Sequence, residues 1–449
     1  MSSPRPHLLY VAWGFPPCRA GGVYRALATA NAFARHGWDV TVLTVERDVF
    51  VEYTGADLGL EQSIDPSIEV VRTRFSWPAL ETDIRRFSWL RVRFPRIWSK
   101  LRVSADRRPF PETGYGPWRR ELERSAVAIH ERRPVDLVVA TANPHVAFMA
   151  ARILHERHKV PYVMDYRDAW CLDVFSGDRL HDEHSRTARI ERDLIDKAAE
   201  VWFVNEPIRA WHQHEHPRAA ARMQVVSNGW DFDVAAQRDG SKTAGRALTF
   251  GYLGTVSVKV PLAEFIAGWR QAHESHGIPA GSRAVIRGYL GFYGLPRPDL
   301  MALVDGAASD GVEYAGPASK SEVVEVYSGF DVLLLILGSG KYVTSGKVFE
   351  YLATGLPIVS VHDLGNAASD VLRDYPLWFP SKSLAPQDIC EALGLAAEAA
   401  TNASEAARTA ARAYAEQYRR DRQLAPRLKA LRELVDTARN AADDSADVR

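Results

Sequence analysis

The run Leu8-Leu9-Tyr10-Val11-Ala12-Trp13 is continuously apolar and stops at the breaker cluster Gly14-Phe15-Pro16-Pro17. Such a run predicts a strand that is buried on both faces of a sheet. A helical pattern follows Gly21-Gly22 and ends at His36-Gly37, and residues 39–44 predict a second strand. Strand, glycine loop, helix and strand form a βαβ unit, which requires a parallel sheet with a right-handed crossover.

The same alternation of strands and helices continues along the chain. Further strands are predicted at residues 136–141, 162–165, 200–205 and 224–227, and a second series at 248–253, 284–289, 312–315, 331–337 and 358–361. Because 449 residues exceed what one core usually supports, we predict an α/β protein of two doubly wound parallel-sheet domains. The predicted parts are a first domain at 1–236, a polar linker at 237–246, a second domain at 247–403, and a helical segment at 404–438. We expect that segment, interrupted at Pro426, to pack back on the first domain.

Bulk composition excludes several classes of protein. The 56 basic residues balance 56 acidic ones, so no global charge indicates a nucleic-acid partner. Cys18, Cys171 and Cys390 are scattered and form no disulfide framework, which favours a reducing cytoplasm. No segment approaches the roughly 18 to 20 apolar residues of a membrane span. We therefore expect a cytoplasmic protein that is at most peripheral at the inner face of the membrane.

One glycine-rich entry to a helix predicts an anion site from its chemistry alone. Ser345 and Gly346 precede a helix whose first turn carries Lys347, so free N–H groups, the positive helix end and an ammonium converge. A diphosphate fits such a site. Glu350, three residues later on about the same helix face, could accept hydrogen bonds from ribose hydroxyls. The alternative is a well-capped core helix with a surface lysine.

Five segments together resemble the family 4 type of retaining GT-B glycosyltransferase. They are residues 13–25, 36–43, 165–170, 227–231, which include Asn228, and 345–357. The resemblance implies two Rossmann-like domains facing a central cleft and a nucleotide diphosphate sugar as donor, with retention of configuration. It also implies no metal and no other cofactor, and a place in polysaccharide, glycoconjugate or natural-product biosynthesis.

Two positions depart from the pattern that the resemblance implies for donor binding. A glycine turn is expected at Gly254, but Thr255 stands where the family usually has arginine, which leaves Lys259 as the candidate cation. Tyr342 stands where many members carry the first of two glutamates, the second being Glu350. These departures leave open a pseudo-glycosyltransferase that acts as a coupling or binding subunit.

The first half of the chain offers candidates for the catalytic side. Gly21 and Gly22 would let a donor phosphate or an acceptor approach the backbone, although a tight turn explains them equally well. Asp165, Arg167 and Asp168 follow a predicted strand, where parallel sheets place ligands, and a structural ion cluster is the alternative. The resemblance favours an N-domain histidine near the sugar. His145 is the best candidate, and a solvent-facing histidine at a helix start is its alternative.

Two local patterns invite further hypotheses. Residues 72–110 interleave arginines with Phe and Trp, which suits a membrane surface, an anionic or lipid-linked acceptor, or a polyanion. The alternative is an insertion that packs its aromatics on the first domain and solvates its arginines. The histidines at 212, 214 and 216 alternate before a proline, which favours a solvated loop or helix end over a zinc site.

Architecture alone also permits other enzymes. A nicotinamide-dependent oxidoreductase would use the first βαβ unit, but its loop lacks the G-x-G-x-x-G pattern. A sugar-nucleotide epimerase of the same fold remains an alternative.

Overall fold

The computed structural model describes residues 5–231, 246–291, 296–318, 322–338 and 340–447. The chain divides into two compact units, the first comprising residues 1–173, 178–227 and 423–449, and the second residues 174–177 and 228–422. The linker predicted at 237–246 lies outside the described residues, apart from Arg246.

The first unit is built on a seven-stranded sheet in which every pairing is parallel. Its strands are β1 (His7–Val11), β2 (Asp39–Val45), β3 (Glu69–Thr73), β4 (Leu137–Ala142), β5 (Tyr162–Tyr166), β6 (Glu200–Phe203) and β7 (Met223–Val225). Their order across the sheet is β3-β2-β1-β4-β5-β6-β7. The βαβ prediction is confirmed, because β1 and β2 are parallel neighbours and β1, an interior strand of the sheet, is buried along its whole length.

Eight α-helices precede residue 216 in the described part of this unit. They are α1 (Val23–Arg35), α2 (Arg47–Val49), α3 (Trp89–Arg93), α4 (Pro95–Arg107), α5 (Arg119–Arg132), α6 (Phe148–His158), α7 (Arg186–Lys197) and α8 (Glu206–Glu215). In the core, α1 packs with a stripe of four residues from near the end of the chain: Leu424, Leu428, Leu431 and Val435. Their spacing of three or four residues places them on one helix face.

The second unit has a six-stranded parallel sheet. Its strands are β8 (Thr249–Leu253), β9 (Arg283–Arg287), β10 (Val312–Tyr314), β11 (Val332–Ile336), β12 (Ile358–Val361) and β13 (Trp378–Pro380), in the order β10-β9-β8-β11-β12-β13. Its helices are α9 (Leu262–Glu274), α10 (Pro298–Asp305), α11 (Val323–Ser328), α12 (Gly346–Thr354), α13 (Ala367–Leu372), α14 (Pro386–Asn402) and α15 (Glu405–Ala415). This unit has two apolar cores. One contains residues of α9, α10 and α14, and the other contains residues of α11, α12, α13 and α15. The predicted α/β fold with two doubly wound sheets is thus confirmed.

The end of the chain differs from the sequence prediction. The prediction of a helix interruption at Pro426 is wrong, because helix α16 (Arg420–Asp447) continues through this proline. Pro426 is exposed, so the Arg422 carbonyl that loses its partner can bind water instead. The breaks in the segment lie at Ser404, which caps α15, and at Arg419.

The unit boundaries also differ from the predicted ones. Residues 228–231 and 404–422 belong to the second unit. The Trp230 indole donates to the Ala415 carbonyl at 3.0 Å, and the Arg420 guanidinium lies 2.8 Å from the Asp231 carboxylate. These contacts hold the asparagine-glycine segment against the helices that follow the second sheet.

Candidate functional site

The Lys347 side chain lies against Tyr252 at the end of β8. Its ammonium donates to the Tyr252 hydroxyl at 2.6 Å and lies 4.0 Å from the centre of that ring. The hydroxyl in turn donates to the Thr255 carbonyl at 2.8 Å. Burial lowers the pKa of Lys347 to about 7, although the charge of Glu350 acts in the opposite direction. The alternative of a surface lysine does not describe this side chain.

Gly254 makes room for that ammonium. Its φ is +142°, which favours glycine, and a Cβ there would lie 2.7 Å from Lys347 Nζ. Ser345, the N-cap of α12, makes no side-chain hydrogen bond to the helix, and Gly346 has open space where a side chain would project. The Val348 N–H donates to the Ser345 carbonyl at 3.2 Å, so the N–H groups of Gly346 and Lys347, with the ammonium of the same turn, are the donors that could meet an anion.

Glu350 lies one turn further along α12. Its carboxylate accepts a hydrogen bond from the Tyr327 hydroxyl at 3.0 Å. Burial and the nearby Glu350 charge raise the pKa of Tyr327, so this phenol stays a donor. Tyr351, the next residue, accepts from the Leu253 N–H at 2.9 Å, which ties α12 to the end of β8.

The other donor-binding candidates lie in the same unit. Lys259 is exposed, and its ammonium sits 3.7 Å from the centre of the Phe175 ring. Tyr342 donates its backbone N–H to the Val174 carbonyl at 3.3 Å. Thr255 and Asn228 are partly buried. Lys259 and Tyr342 thus both contact the short segment 174–177, a neighbourhood that the sequence did not predict.

A cavity of about 440 Å³ opens beside Lys259. His362, Asp363, Glu264 and Asp299 also line it, together with aliphatic side chains. Burial lowers the pKa of His362. The lining includes neither Lys347 nor Glu350, so this cavity is separate from the start of α12.

In the first unit, Asp165 forms a buried ion pair with Arg25. Arg25 Nη2 lies 2.6 Å from Asp165 Oδ1, and its Nε contacts both carboxylate oxygens at 3.0 Å. Arg25 also donates to the Val226 carbonyl at 2.8 Å. Asp165 has no exposed surface, so its contacts fit the structural ion cluster rather than direct contact with a ligand.

Arg167 pairs with Asp168 rather than with Asp165. Its Nη2 donates to Asp168 Oδ2 at 2.7 Å, and both side chains keep exposed surface. A Cβ on Gly22 would lie 1.5 Å from Arg167 Nη1, whereas a Cβ on Gly21 would meet nothing within 4 Å. A side chain at Gly22 would therefore displace the Arg167 guanidinium that lies over the loop.

His145 is buried, so the alternative of a solvent-facing histidine is wrong. Its Nδ1 lies 3.2 Å from Glu112 Oε1, and its Nε2 lies 2.9 Å from the Asp168 carbonyl. Its ring stacks on Trp170 at 4.9 Å. Burial alone would lower the pKa of His145, but the hydrogen bond and charge of Glu112 outweigh it and raise the pKa. The imidazole thus connects Glu112 to the backbone beside Arg167.

The histidines near residue 214 lie at the end of helix α8, as the helix-end alternative predicts, and only His214 is exposed. His212 lies on the buried face of α8, 3.8 Å from the Glu191 carboxylate, and His216 is also buried. Although burial opposes it, the interaction with His212 and hydrogen bonds from Cys171 and Tyr166 lower the pKa of Glu191 to about 2. Among the described residues, no group of three or more His, Cys, Asp or Glu side chains is arranged to hold a metal ion.

Sequence reasoning missed four partners of the candidate residues: Arg25, Glu112, Tyr252 and Tyr327. Arg25 carried a signal, because it lies on the buried face of α1, where a charge needs a partner. The other three gave none, since each meets its partner only through the tertiary fold.

The family comparison matches the first half of the chain. Residues 20–229 match the model of the glycosyl transferase 4-like domain. This part of the chain is thus similar to a glycosyl transferase 4-like domain. No curated protein sequence matches the chain.

Solved structures share the fold of this chain. A glycosyltransferase from Rickettsia africae has a TM-score of 0.63 at 11% identity, covering 96% of this chain and 99% of that chain. TarM also has a TM-score of 0.63 at 11% identity, covering 95% and 98%. A putative UDP-N-acetylglucosamine 2-epimerase from Listeria monocytogenes has a TM-score of 0.57 at 10% identity, covering 96% and 97%. Identities this low establish the GT-B fold alone, which serves transferases and the epimerase alike.

Proposed function

We propose that this protein is a glycosyltransferase that takes a sugar from a nucleoside diphosphate sugar and binds the diphosphate at the start of α12. One observation carries the proposal. The Lys347 ammonium, the uncapped N-terminus of α12 and the Gly254 turn lie together in one unit. Such a cluster attracts phosphate oxygens, because the N–H groups donate to them and the ammonium neutralises their charge.

The same cluster would assist departure of the nucleoside diphosphate. Negative charge builds on the leaving phosphate as the bond to the sugar breaks, and fixed donors stabilise that charge without reorganisation. A cation and a helix end supply this effect with no metal, which is the metal-independent chemistry that we propose. Glu350, oriented by Tyr327, is placed to accept hydrogen bonds from ribose hydroxyls.

We propose that the first unit supplies the acceptor side. Arg167 and Asp168 keep exposed surface beside the Gly22 turn, and His145 holds the backbone of Asp168. Arg167 is the candidate that contacts the acceptor or the transferred sugar. His145 and Asp165 position this edge of the sheet. Retention of configuration is part of the proposal and rests on the family resemblance.

A turnover assay tests the proposal. Purified protein is mixed with nucleoside diphosphate sugars, with and without candidate acceptors, and released nucleoside diphosphate is quantified with EDTA present. We expect release that Lys347→Ala suppresses, with unaltered rates in EDTA and an anomeric configuration by NMR that matches the donor. Nucleotide binding without release, across all donors and acceptors, would contradict the proposal and favour a pseudo-glycosyltransferase.

A further inference from the structure

The basic and aromatic stretch at residues 72–110 consists of two structurally different parts. In the first part, Phe75 and Trp77 pack edge-to-face on Trp13, and Tyr115 joins them with its ring centroid 4.8 Å from that of Trp77. Arg72 belongs to β3 and pairs with Glu61 at 2.9 Å. The packed-insertion interpretation therefore describes this part.

The second part, residues 84–108, presents apolar side chains to solvent. It contains α3 and α4, which pack on each other. Its large exposed side chains, with their exposed fractions, are Ile84 (74%), Trp89 (73%), Val92 (65%), Leu101 (56%), Ile97 (52%), Phe94 (43%) and Val103 (37%). Single exposed apolar residues are ordinary, but seven within 20 residues form a patch that needs a function.

Helix α4 separates its residues by face. Trp98, Arg102 and Asp106, spaced by four, are its less exposed positions and form the inner face. Ile97 and Leu101 form an apolar stripe on the outer side, and Arg96, Lys100 and Arg107 form a basic stripe beside it at the same helical spacing. An outer surface of aliphatic and cationic stripes is typical of helices that lie in a membrane interface.

The surface of residues 84–108 is strongly basic. Residues 84–108 contain nine Lys and Arg residues and one acidic residue, Asp106, which pairs with Arg102. Arg85 and Arg86 pair with Asp83 and Glu81 just before the segment.

Arg91 is also engaged, because it donates to the Pro78 carbonyl at 2.8 Å and lies over the Phe87 ring. Within the described parts of the chain, Arg93, Arg96 and Lys100 have no carboxylate within 4 Å. These three cations are exposed beside the apolar stripe.

We propose that residues 84–108 dock this protein on the surface of a bilayer that contains anionic lipid. The exposed aliphatic side chains would enter the boundary between headgroups and acyl chains, and the unpaired cations would contact lipid phosphates. A second copy of this chain would bring like charge against like charge, which disfavours a symmetric contact. A soluble polyanion would leave Ile97 and Leu101 in water. The proposal does not depend on the proposed donor site, which lies in the other unit.

Co-sedimentation with vesicles tests the proposal. The full chain is mixed with vesicles of phosphatidylcholine alone, or of phosphatidylcholine with phosphatidylglycerol, over a range of salt concentrations. We expect sedimentation with the anionic vesicles at low salt, weakening as the Debye length falls to about 8 Å at physiological ionic strength.

Two variants separate the contributions. Each cation near an anionic surface strengthens binding by about fivefold, so Arg93→Gln with Arg96→Gln and Lys100→Gln should lower the partition coefficient roughly a hundredfold. Trp89→Ser with Ile97→Ser and Leu101→Ser should weaken it as well, even at low salt. The matched control is Arg120→Gln with Arg157→Gln and Lys159→Gln, three exposed cations of the same unit outside the segment, which should keep most of the parent's binding.

Two results would contradict the membrane-docking proposal. Because all substituted side chains are exposed, each variant should keep the parent's melting temperature, and this is measured first. Equal partitioning of the parent and the Arg93, Arg96 and Lys100 variant at every salt concentration would overturn the proposal. So would self-association in analytical ultracentrifugation that the apolar variant abolishes, without vesicle binding by the parent, because it assigns the surface to a second copy.

Discussion

Lys347 donates a hydrogen bond to Tyr252, and the Tyr252 hydroxyl donates onward to the Thr255 carbonyl. These two hydrogen bonds hold the Lys347 ammonium over the Gly254 turn before any ligand binds. A cation fixed in advance loses little side-chain entropy when an anion arrives, so more of the interaction appears as affinity. The pair therefore explains how the start of α12 could bind a diphosphate without a metal.

Removing the ammonium should weaken donor binding. We expect Lys347→Ala to cost about 1.5 to 3 kcal/mol in nucleoside diphosphate binding, the range for a hydrogen bond to a charged group, while the protein stays folded. Isothermal titration calorimetry measures this. Lys382→Ala, which removes an exposed lysine of the same unit, is the control and should bind as the parent does. Parental affinity combined with a lowered melting temperature would make Lys347 a structural residue.

Donor binding should take up protons above neutral pH. Burial lowers the pKa of Lys347 to about 7, so at pH 8 most of the free protein carries a neutral amine. A bound diphosphate favours the ammonium and raises that pKa, so affinity should fall as the pH rises from 7 to 9. Calorimetry at pH 8 in two buffers of different ionisation enthalpy counts the protons. Lys347→Ala should abolish the proton uptake. An equal uptake in that variant would show that another group takes up the protons.

Glu350→Gln should raise KM for the donor and leave kcat near the parent's value. A ribose contact is made in the ground state and the transition state alike, so its loss affects binding rather than the chemical step. Tyr327→Phe should have the same effect to a smaller degree, because it removes only the hydroxyl that orients the carboxylate. Steady-state kinetics at varied donor concentration measures KM and kcat separately. Normal KM with lost turnover would place Glu350 at the reacting sugar.

Asp165→Asn should act on stability. It leaves Arg25 buried without its carboxylate, and breaking such a pair typically costs about 3 to 5 kcal/mol. Urea unfolding measures the loss, and Arg25→Met with Asp165→Leu should recover part of it. The exposed Asp168→Asn is the comparison and should change stability little. Parental stability with lost transfer in Asp165→Asn would instead indicate a catalytic role.

Sequence patterns predicted the sheets well where strands are buried on both faces. The apolar run at β1 and the apolar β11 lie inside their sheets and were found within two residues of their ends. The edge strands β3 and β13 were missed because they contain polar residues or proline, so no continuous apolar run marks them. Local pattern is strongest where burial is most complete.

The side-chain partners were harder to predict. Arg25 and Asp165 lie 140 residues apart, and Lys347 and Tyr252 lie 95 apart, so only the folded sheet brings each pair together. The glycine entry to α12 was predictable because its chemistry is local. The basic stretch was only half predictable, because composition cannot tell a packed Trp77 from an exposed Trp89.

A thermal-shift comparison of the parent protein with Lys347→Ala tests the central claim most directly, across nucleoside diphosphates and their sugars. A ligand at a hundred times its dissociation constant stabilises the folded state by about 2.7 kcal/mol. We predict that at least one nucleoside diphosphate raises the melting temperature of the parent by several degrees, and that Lys347→Ala removes most of that rise at the same concentration. An equal rise in the variant, or no rise in the parent with any nucleoside diphosphate, would contradict the assignment of the donor site to the start of α12.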